Sequence, residues 1–149
     1  MNKVIQITLL TVLTGGVQSA VFAAAGPTTP LHTAAKAGNL DEVKALVGGG
    51  ADINAIDENF ETALYMAAKK NHVAVVEFLI GKGADVNKSN IKSVTPVCAA
   101  AREGNLDVVK VLVEKGSADL TIKSDSGKTP LAAAGNEEVR KYLRLKGAK

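Results

Sequence analysis

The tetrapeptide Thr29-Pro30-Leu31-His32 decides the fold, because it returns three more times along the chain. The later copies are Thr62-Ala63-Leu64-Tyr65, Thr95-Pro96-Val97-Cys98 and Thr129-Pro130-Leu131-Ala132. Successive copies start 33, 33 and 34 residues apart, because Ser117 is inserted before the last one. A constant period of this length is the signature of a repeat protein. We therefore predict repeats at about residues 29–61, 62–94, 95–128 and 129–149.

Each repeat has the signals of two short helices joined by a turn. The Thr hydroxyl can cap the first helix, and Pro at the first helical position gives up an amide that has no partner there. The residues Gly38, Asn71 and Gly104 suit the left-handed conformation that ends a helix. Apolar residues at spacings of three and four follow, and Asn39 with Glu42 fits a capping box at the start of this second helix.

The matched offsets resemble the ankyrin-repeat family from Thr29 to about Leu145. They include the alanine pairs 34–35, 67–68 and 100–101 and the Gly-Ala-Asp sequences at 50–52 and 83–85. The resemblance implies an all-α solenoid of stacked helix–turn–helix pairs, whose linking segments project as β-hairpin loops. No single repeat can bury its apolar face alone, so the stack is expected to fold as one unit.

Two departures from the family pattern carry predictions of their own. The fourth repeat lacks about four residues between Ala134 and Val139, so its first helix should be short, and its charged end suits a capping unit that faces water. The family usually has Gly two residues before the Thr of each repeat. Gly127 keeps this pattern, whereas Phe60 and Ser93 replace it. Because residues other than Gly resist a positive φ, we predict that those two tips turn differently.

Composition bounds the function classes. The 149 residues suffice for one domain, and with 46% hydrophobic but only 3% aromatic residues the core must be aliphatic. Such a core suits closely stacked helices better than a ligand cavity lined with rings. The net charge is +3, or +2 without Lys3, which is too small to argue for a nucleic-acid partner. The single cysteine, Cys98, excludes an intramolecular disulfide.

The first 25 residues differ from the rest of the chain. Lys3 precedes a mostly apolar stretch at 4–13, and small residues follow at 19–25. This order predicts a Sec signal peptide at residues 1–23, with cleavage after Ala23 or, as a second choice, after Ala25, and a mature domain at 24–149. An uncleaved membrane anchor is the alternative, although Gln and Thr residues and a Gly pair make a poor membrane-spanning helix. We expect a periplasmic or secreted protein with no stable membrane insertion after cleavage.

The resemblance also implies that the hairpin tips and the exposed face of the first helices bind a partner. The candidate residues by position are Lys36, Met66, Lys69 and Arg102 on the helices and Glu58, Asn59, Phe60, Ile91, Lys92 and Ser126 at the tips. The three helix cations occupy equivalent positions and should form a ladder that an acidic partner could bridge. A solvated helix face would give the same pattern. Phe60, Ile91 and Val94 form an apolar set of candidate anchors, although Phe60 could also belong to the core.

His32 and Cys98 do not predict catalysis. Both occupy the fourth position of the repeated tetrapeptide, which the resemblance assigns to structural hydrogen bonds, and neither has an expected catalytic partner. The aspartates 52, 85 and 119 recur at one offset and are interpreted as turn residues. We predict no catalytic residue, no metal site and no cofactor, since the chain has no phosphate-binding loop, nucleophile elbow or zinc spacing.

These observations predict an exported, non-enzymatic protein–protein interaction module, monomeric, with a protein partner and no nucleic acid. An inhibitor, an immunity protein or a stabilising protein of a bacterial periplasm would fit, by analogy only. A secreted effector that engages a host protein is the alternative. A small-ligand binder or an enzyme is the alternative of a different class, and it would require a pocket with convergent polar groups.

Overall fold

The computed structural model describes residues 26–149, so the predicted signal peptide lies outside the described residues. This part of the chain forms eight helices in four pairs. They are α1 (Pro30–Ala37), α2 (Leu40–Gly48), α3 (Ala63–Lys69), α4 (Val73–Gly81), α5 (Pro96–Glu103), α6 (Leu106–Glu114), α7 (Pro130–Ala133) and α8 (Glu137–Leu145). Between residues 26 and 149 there is no β-strand, and hydrogen-bonded hairpin turns link the pairs. The all-α prediction is confirmed.

The helices stack in two layers. In the inner layer α1, α3, α5 and α7 contact one another in order, and in the outer layer α2, α4, α6 and α8 do the same. The paired alanines lie between neighbouring inner helices, where Ala35, Ala68 and Ala101 are all completely buried. Small side chains at this seam let the backbones approach closely, while Val and Leu of the outer helices close the core.

Local capping signals predicted from the sequence are present in the structure. The Thr hydroxyls accept hydrogen bonds from the backbone amide three residues later, at 3.4, 3.1, 3.3 and 3.3 Å in the four repeats. The predicted left-handed residues Gly38, Asn71 and Gly104 have φ of 75°, 65° and 80°. Asn39 caps α2 by accepting from the Glu42 amide at 3.3 Å. The predicted capping box is not completed, because the Asn39 amide donates to the carbonyl of Ala34 and the Glu42 carboxylate accepts from Asn39 Nδ2 instead. The first helix of the fourth repeat is only four residues long, as predicted.

Hydrogen bonds between repeats fix their spacing. The residue that precedes α4, α6 or α8 reaches back to the end of the inner helix of the preceding repeat. His72 Nε2 lies 2.9 Å from the carbonyl of Lys36, and Asn105 Nδ2 donates to the carbonyl of Ala68 at 3.0 Å. Because this contact recurs in successive repeats, the inner helices are held in one register across the stack.

The prediction that two hairpin tips turn differently is wrong. We call residues 57–61, 90–94 and 124–128 the first, second and third fingers. Their fourth residues, Phe60, Ser93 and Gly127, have φ of 61°, 59° and 76°. In every finger the amide of that residue donates to the carbonyl three residues earlier, at 2.9, 2.9 and 2.8 Å. All three fingers therefore form the same turn.

Side-chain hydrogen bonds offset the strain where Gly is missing. Asp57 Oδ1 accepts from the amides of Asn59 and Glu61, both at 2.9 Å. Asn90 Oδ1 accepts from the equivalent two amides of the second finger, at 2.9 and 3.0 Å. A left-handed residue other than Gly costs about 1–2 kcal/mol, and a hydrogen bond contributes about 1 kcal/mol, so two such bonds are of the right size. The third finger, which has Gly127, begins with Ser124 instead.

Candidate functional site: a basic groove

A shallow groove runs between the three fingers and the inner helices, and we divide its lining into three sections. The first section is lined by Lys36, Glu61, Met66, Lys69 and Lys70. The middle section is lined by Asn59, Glu61, Tyr65, Lys69, Asn90, Ile91, Lys92, Val94 and Arg102. The third section is lined by Lys92, Val94, Arg102, Ser124, Asp125 and Ser126. Neighbouring sections share lining residues: Glu61 and Lys69 belong to the first and the middle sections, and Lys92, Val94 and Arg102 to the middle and the third.

The predicted ladder of cations lies along this groove. Lys36 on α1 and Lys69 at the end of α3 line the first section together. Lys69 and Arg102, on α5, line the middle section together. Because α1, α3 and α5 are consecutive neighbours of the inner layer, the three cations follow one another along the groove.

Positive charge dominates the groove. Its lining contains the cations Lys36, Lys69, Lys70, Lys92 and Arg102 and the carboxylates Glu61 and Asp125. Within residues 26–149, Arg102 alone of these cations has a carboxylate within 4.0 Å, at 3.7 Å from Glu103. The Asp125 carboxylate accepts a hydrogen bond from the Ser93 hydroxyl. The remaining groove cations therefore carry charge that no close ion pair of the described residues neutralises.

Tyr65 forms the floor of the middle section. Its side chain is only 1% exposed, and its hydroxyl accepts from Asn90 Nδ2 at 3.1 Å, which ties α3 to the second finger. Burial, with the charge of Glu61 as a further cause, raises the pKa of Tyr65 to about 12, so the phenol stays neutral. Tyr65 packs in a small apolar cluster with Val94, Cys98 and Ala99. Burial also raises the pKa of the Cys98 thiol, which makes Cys98 a poor nucleophile.

The predicted site residues occupy different levels of the groove. All of them except Glu58 and Phe60 belong to its lining. Ile91 is 59% exposed on the second finger, whereas Met66 is buried at the base of the first section. Asn59, Lys92 and Ser126 are exposed on the three fingers, beside the exposed Glu58. Phe60 is half-buried and belongs to neither apolar core cluster.

One member of the predicted apolar set belongs to the core instead. Val94 is only 7% exposed, because it packs on Tyr65 and Cys98 beneath the second finger. Sequence reasoning also missed Lys70 and the groove position of Tyr65. The signal for Lys70 was its place beside Lys69.

Histidine and aspartate at repeated positions are structural. His32 Nδ1 lies 3.1 Å from the amide of Thr29, and His32 Nε2 lies 2.9 Å from the carbonyl of Glu61, so the ring joins the helix start to the first finger. Asp52 and Asp85 accept from the amide two residues later, at 3.0 Å each, as turn residues do. Among residues 26–149, no group of three or more His, Cys, Asp or Glu side chains could hold a metal ion. In the same range, no helix is both long and apolar enough to cross a membrane.

Comparison with known families agrees with the repeat architecture. A family model described as "Ankyrin repeats (3 copies)" matches residues 7–90 and again residues 82–149. The first match begins inside the segment predicted as a signal peptide. A comparison with curated proteins finds no match. The period, the two-layer stack and the family match lead to one conclusion: the chain belongs to the ankyrin-repeat family, whose repeats serve as protein–protein interaction modules.

Proposed function

We propose that this chain is an exported, non-enzymatic binding module that holds a protein partner in the basic groove and against the fingers. The observation that carries the proposal is the groove itself, which brings Lys36, Lys69 and Arg102 together with the exposed Ile91. A line of cations beside an exposed aliphatic side chain offers both electrostatic steering and an apolar contact.

The groove is built to present these side chains rigidly. The hydrogen bond from Asn90 Nδ2 to the Tyr65 hydroxyl anchors the second finger to α3. The amide of Ile91 donates to the carbonyl of Asn59 at 2.8 Å. The amide of Asp125 donates in the same way to the carbonyl of Lys92 at 3.0 Å. Because neighbouring fingers are joined through their backbones, little ordering is required when a partner binds, which favours affinity.

Export rests on the leader. Lys3, the apolar stretch at 4–13 and the small residues Val21 and Ala23 follow the order of a cleaved signal peptide. An exported ankyrin-repeat module would act as an inhibitor, immunity or stabilising protein for a periplasmic partner. A module that leaves the cell would act as an effector on a host protein.

The binding proposal is tested by capture in the producing organism. The full chain, with a C-terminal affinity tag, is expressed there, and captured proteins are identified by mass spectrometry. A parallel capture uses the variant Lys36→Glu, Lys69→Glu, Arg102→Glu. The matched control is Lys44→Glu, Lys88→Glu, Lys141→Glu, which changes the net charge equally at exposed positions outside the groove lining.

We expect one protein that the native chain and the control hold and that the groove variant loses. The location of the captured partner distinguishes the possible roles of the chain. A periplasmic partner supports the inhibitor, immunity or stabilising role, and a host protein supports the effector role. Equal capture by all three forms would exclude the groove as the binding site.

Export is tested separately by fractionating cells that express the full chain. The expected product is periplasmic or secreted and begins at Ala24 or, after the second cleavage site, at Gly26. Leu9→Arg with Leu10→Arg should keep the precursor in the cytoplasm, because charge in the apolar stretch disables a signal peptide. Cytoplasmic native protein with an intact N-terminus would contradict the export proposal.

A further inference from the structure

Several cations of the outer layer have an ion partner, although Lys44 and Lys141, also on outer helices, have none among the described residues. Lys115 on the outer layer pairs with Glu77 at 2.9 Å, Arg140 with Glu137 at 2.7 Å, and Lys146 with Glu114 at 3.8 Å. In the described part of the chain, Lys36, Lys69, Lys70 and Lys92 have no carboxylate within 4.0 Å. Four uncompensated cations in one groove repel one another, so an anionic occupant would lower the electrostatic free energy.

The lining favours a protein occupant over a nucleic acid. Nucleic-acid grooves combine cations with exposed aromatic rings on which bases stack. This groove has one aromatic residue, Tyr65, and its ring is buried in the floor. Its exposed apolar side chain is the aliphatic Ile91, which lines the middle section together with Lys69, Lys92 and Arg102. An aliphatic side chain in one section with cations fits a polypeptide that has an apolar residue among acidic ones.

We infer that the groove recognises an acidic segment of the partner protein, with carboxylates on Lys69 and Arg102 and an apolar side chain on Ile91. This inference rests on the proposed function and names the chemistry of the partner. Neighbouring inner helices lie about 8–10 Å apart, so Lys36 and Arg102 are roughly 20 Å apart along the groove. An extended chain advances about 3.3 Å per residue, so about ten residues reach from α1 to the third finger.

A substitution at Glu61 should strengthen binding of an acidic segment, whereas substitutions of the groove cations should weaken it. Glu61 lines both the first and the middle sections, the first together with Lys36, Lys69 and Lys70. Its backbone is fixed independently, since its amide donates to Asp57 and its carbonyl accepts from His32. Glu61→Gln therefore removes a negative charge from the groove while the fold is kept. An acidic segment should bind this variant more tightly than the native chain.

The experiment measures the binding of a fluorescent peptide of about ten residues, all glutamate except one central leucine, by anisotropy. Protein is purified from cells that express the full chain. The comparison probe is a single-stranded oligonucleotide of the same charge. The variants are Lys69→Glu with Arg102→Glu, Glu61→Gln, and the control Lys44→Glu with Lys141→Glu, which has the same net charge as the first variant.

At low salt we expect the native chain to bind the peptide, and the groove double variant to bind it at least about tenfold more weakly. The control should bind like the native chain, and Glu61→Gln should bind severalfold more tightly. Binding should fall as salt rises, because the screening length shrinks from about 10 Å at 0.1 M to about 3 Å at 1 M.

Three results would overturn the inference: no peptide binding at low salt, equal weakening in the groove variant and the control, or tighter binding of the oligonucleotide than of the peptide. The inference and the proposed function fail separately. A partner captured through the groove, together with a peptide that does not bind, would keep the proposed function and reject the acidic segment.

Discussion

The two faces of the stack handle charge differently. On the outer helices, Glu114 accepts the Tyr142 hydroxyl at 2.7 Å, and Lys146 lies 5.6 Å from the centre of the Tyr142 ring as well as near Glu114. Lys82 lies similarly over the ring of Phe78, at 5.7 Å. Among residues 26–149, no groove cation lies over an aromatic ring, and Arg102 alone of them has a carboxylate within 4.0 Å. Some charges of the outer face therefore have internal partners, whereas Lys36, Lys69, Lys70 and Lys92 of the groove have no carboxylate within 4.0 Å among the described residues.

The largest expected effect is on stability, and it tests how tightly the fourth repeat packs on the third. A Cβ atom at Gly135 would lie 2.2 Å from the carbonyl oxygen of Arg102, a backbone atom that cannot yield. Gly135→Ala should therefore lower the free energy of unfolding by about 2–4 kcal/mol, measured by urea denaturation. The control is Gly81→Ala, where a Cβ meets nothing within 4 Å and α4 gains helix propensity. Similar stability in both variants would show that the fourth repeat packs loosely on the third.

The second prediction separates the two faces directly. Lys69→Glu should weaken partner binding about tenfold and leave the stability nearly unchanged, because Lys69 has no ion partner among the described residues. Lys115→Glu should leave partner binding unchanged and lower the stability slightly. It breaks the exposed ion pair with Glu77, which contributes less than about 1 kcal/mol. The measurements are partner affinity by calorimetry and thermal unfolding. Equal binding losses would erase the distinction between the faces.

The third prediction concerns the apolar part of the groove. Ile91→Ser should weaken partner binding severalfold, because it removes an exposed aliphatic contact at the centre of the groove. Its stability should change by less than about 0.5 kcal/mol, as at other surface positions. Val94→Ser is the informative contrast, since Val94 is buried and its loss should destabilise the chain. Unchanged affinity in the Ile91 variant would make recognition purely electrostatic.

A smaller effect is expected at the first finger. Phe60→Ala retains a left-handed residue other than Gly and removes only the ring, so the strain stays the same in both proteins. Because Phe60 is half-buried and lies outside both apolar clusters, the free energy of unfolding should change by about 1 kcal/mol or less. Partner affinity should fall if the ring is an anchor. A large fall in melting temperature would instead assign the ring to the core.

The smallest effect is a pH dependence on the outer face. The hydroxyl of Tyr142 donates to Glu114 and is the main cause that lowers the pKa of that carboxyl. A lowered folded-state pKa adds stability above the unfolded value of about 4.3, and this contribution disappears as the pH falls through the folded-state pKa. Glu114→Gln should therefore lower the melting temperature slightly near pH 6, with a smaller difference near pH 3. An equal difference at both pH values would mean that the hydrogen bond does not favour the ionised form.

Much of the fold followed from local patterns, and the site followed only in part. The Thr caps, the left-handed residues and the short α7 depend on contacts within a few residues, so the sequence predicts them. The prediction that two finger tips turn differently was wrong because two local effects compete. The penalty for a positive φ at Phe60 was recognised, but the hydrogen bonds that Asp57 supplies to the same turn were not. The cation ladder was predictable because equivalent positions in stacked repeats share one face.

The sequence by itself determined the repeat period, the helix ends and the line of Lys36, Lys69 and Arg102, since each depends on spacing along the chain. Only the tertiary structure decided which side chains meet them. Glu61 enters the groove, Val94 is buried at the groove base, and Tyr65 becomes the floor, because the second finger folds back onto α3. Spacing along the chain cannot predict such contacts, since they depend on how a loop of one repeat packs against a helix of another.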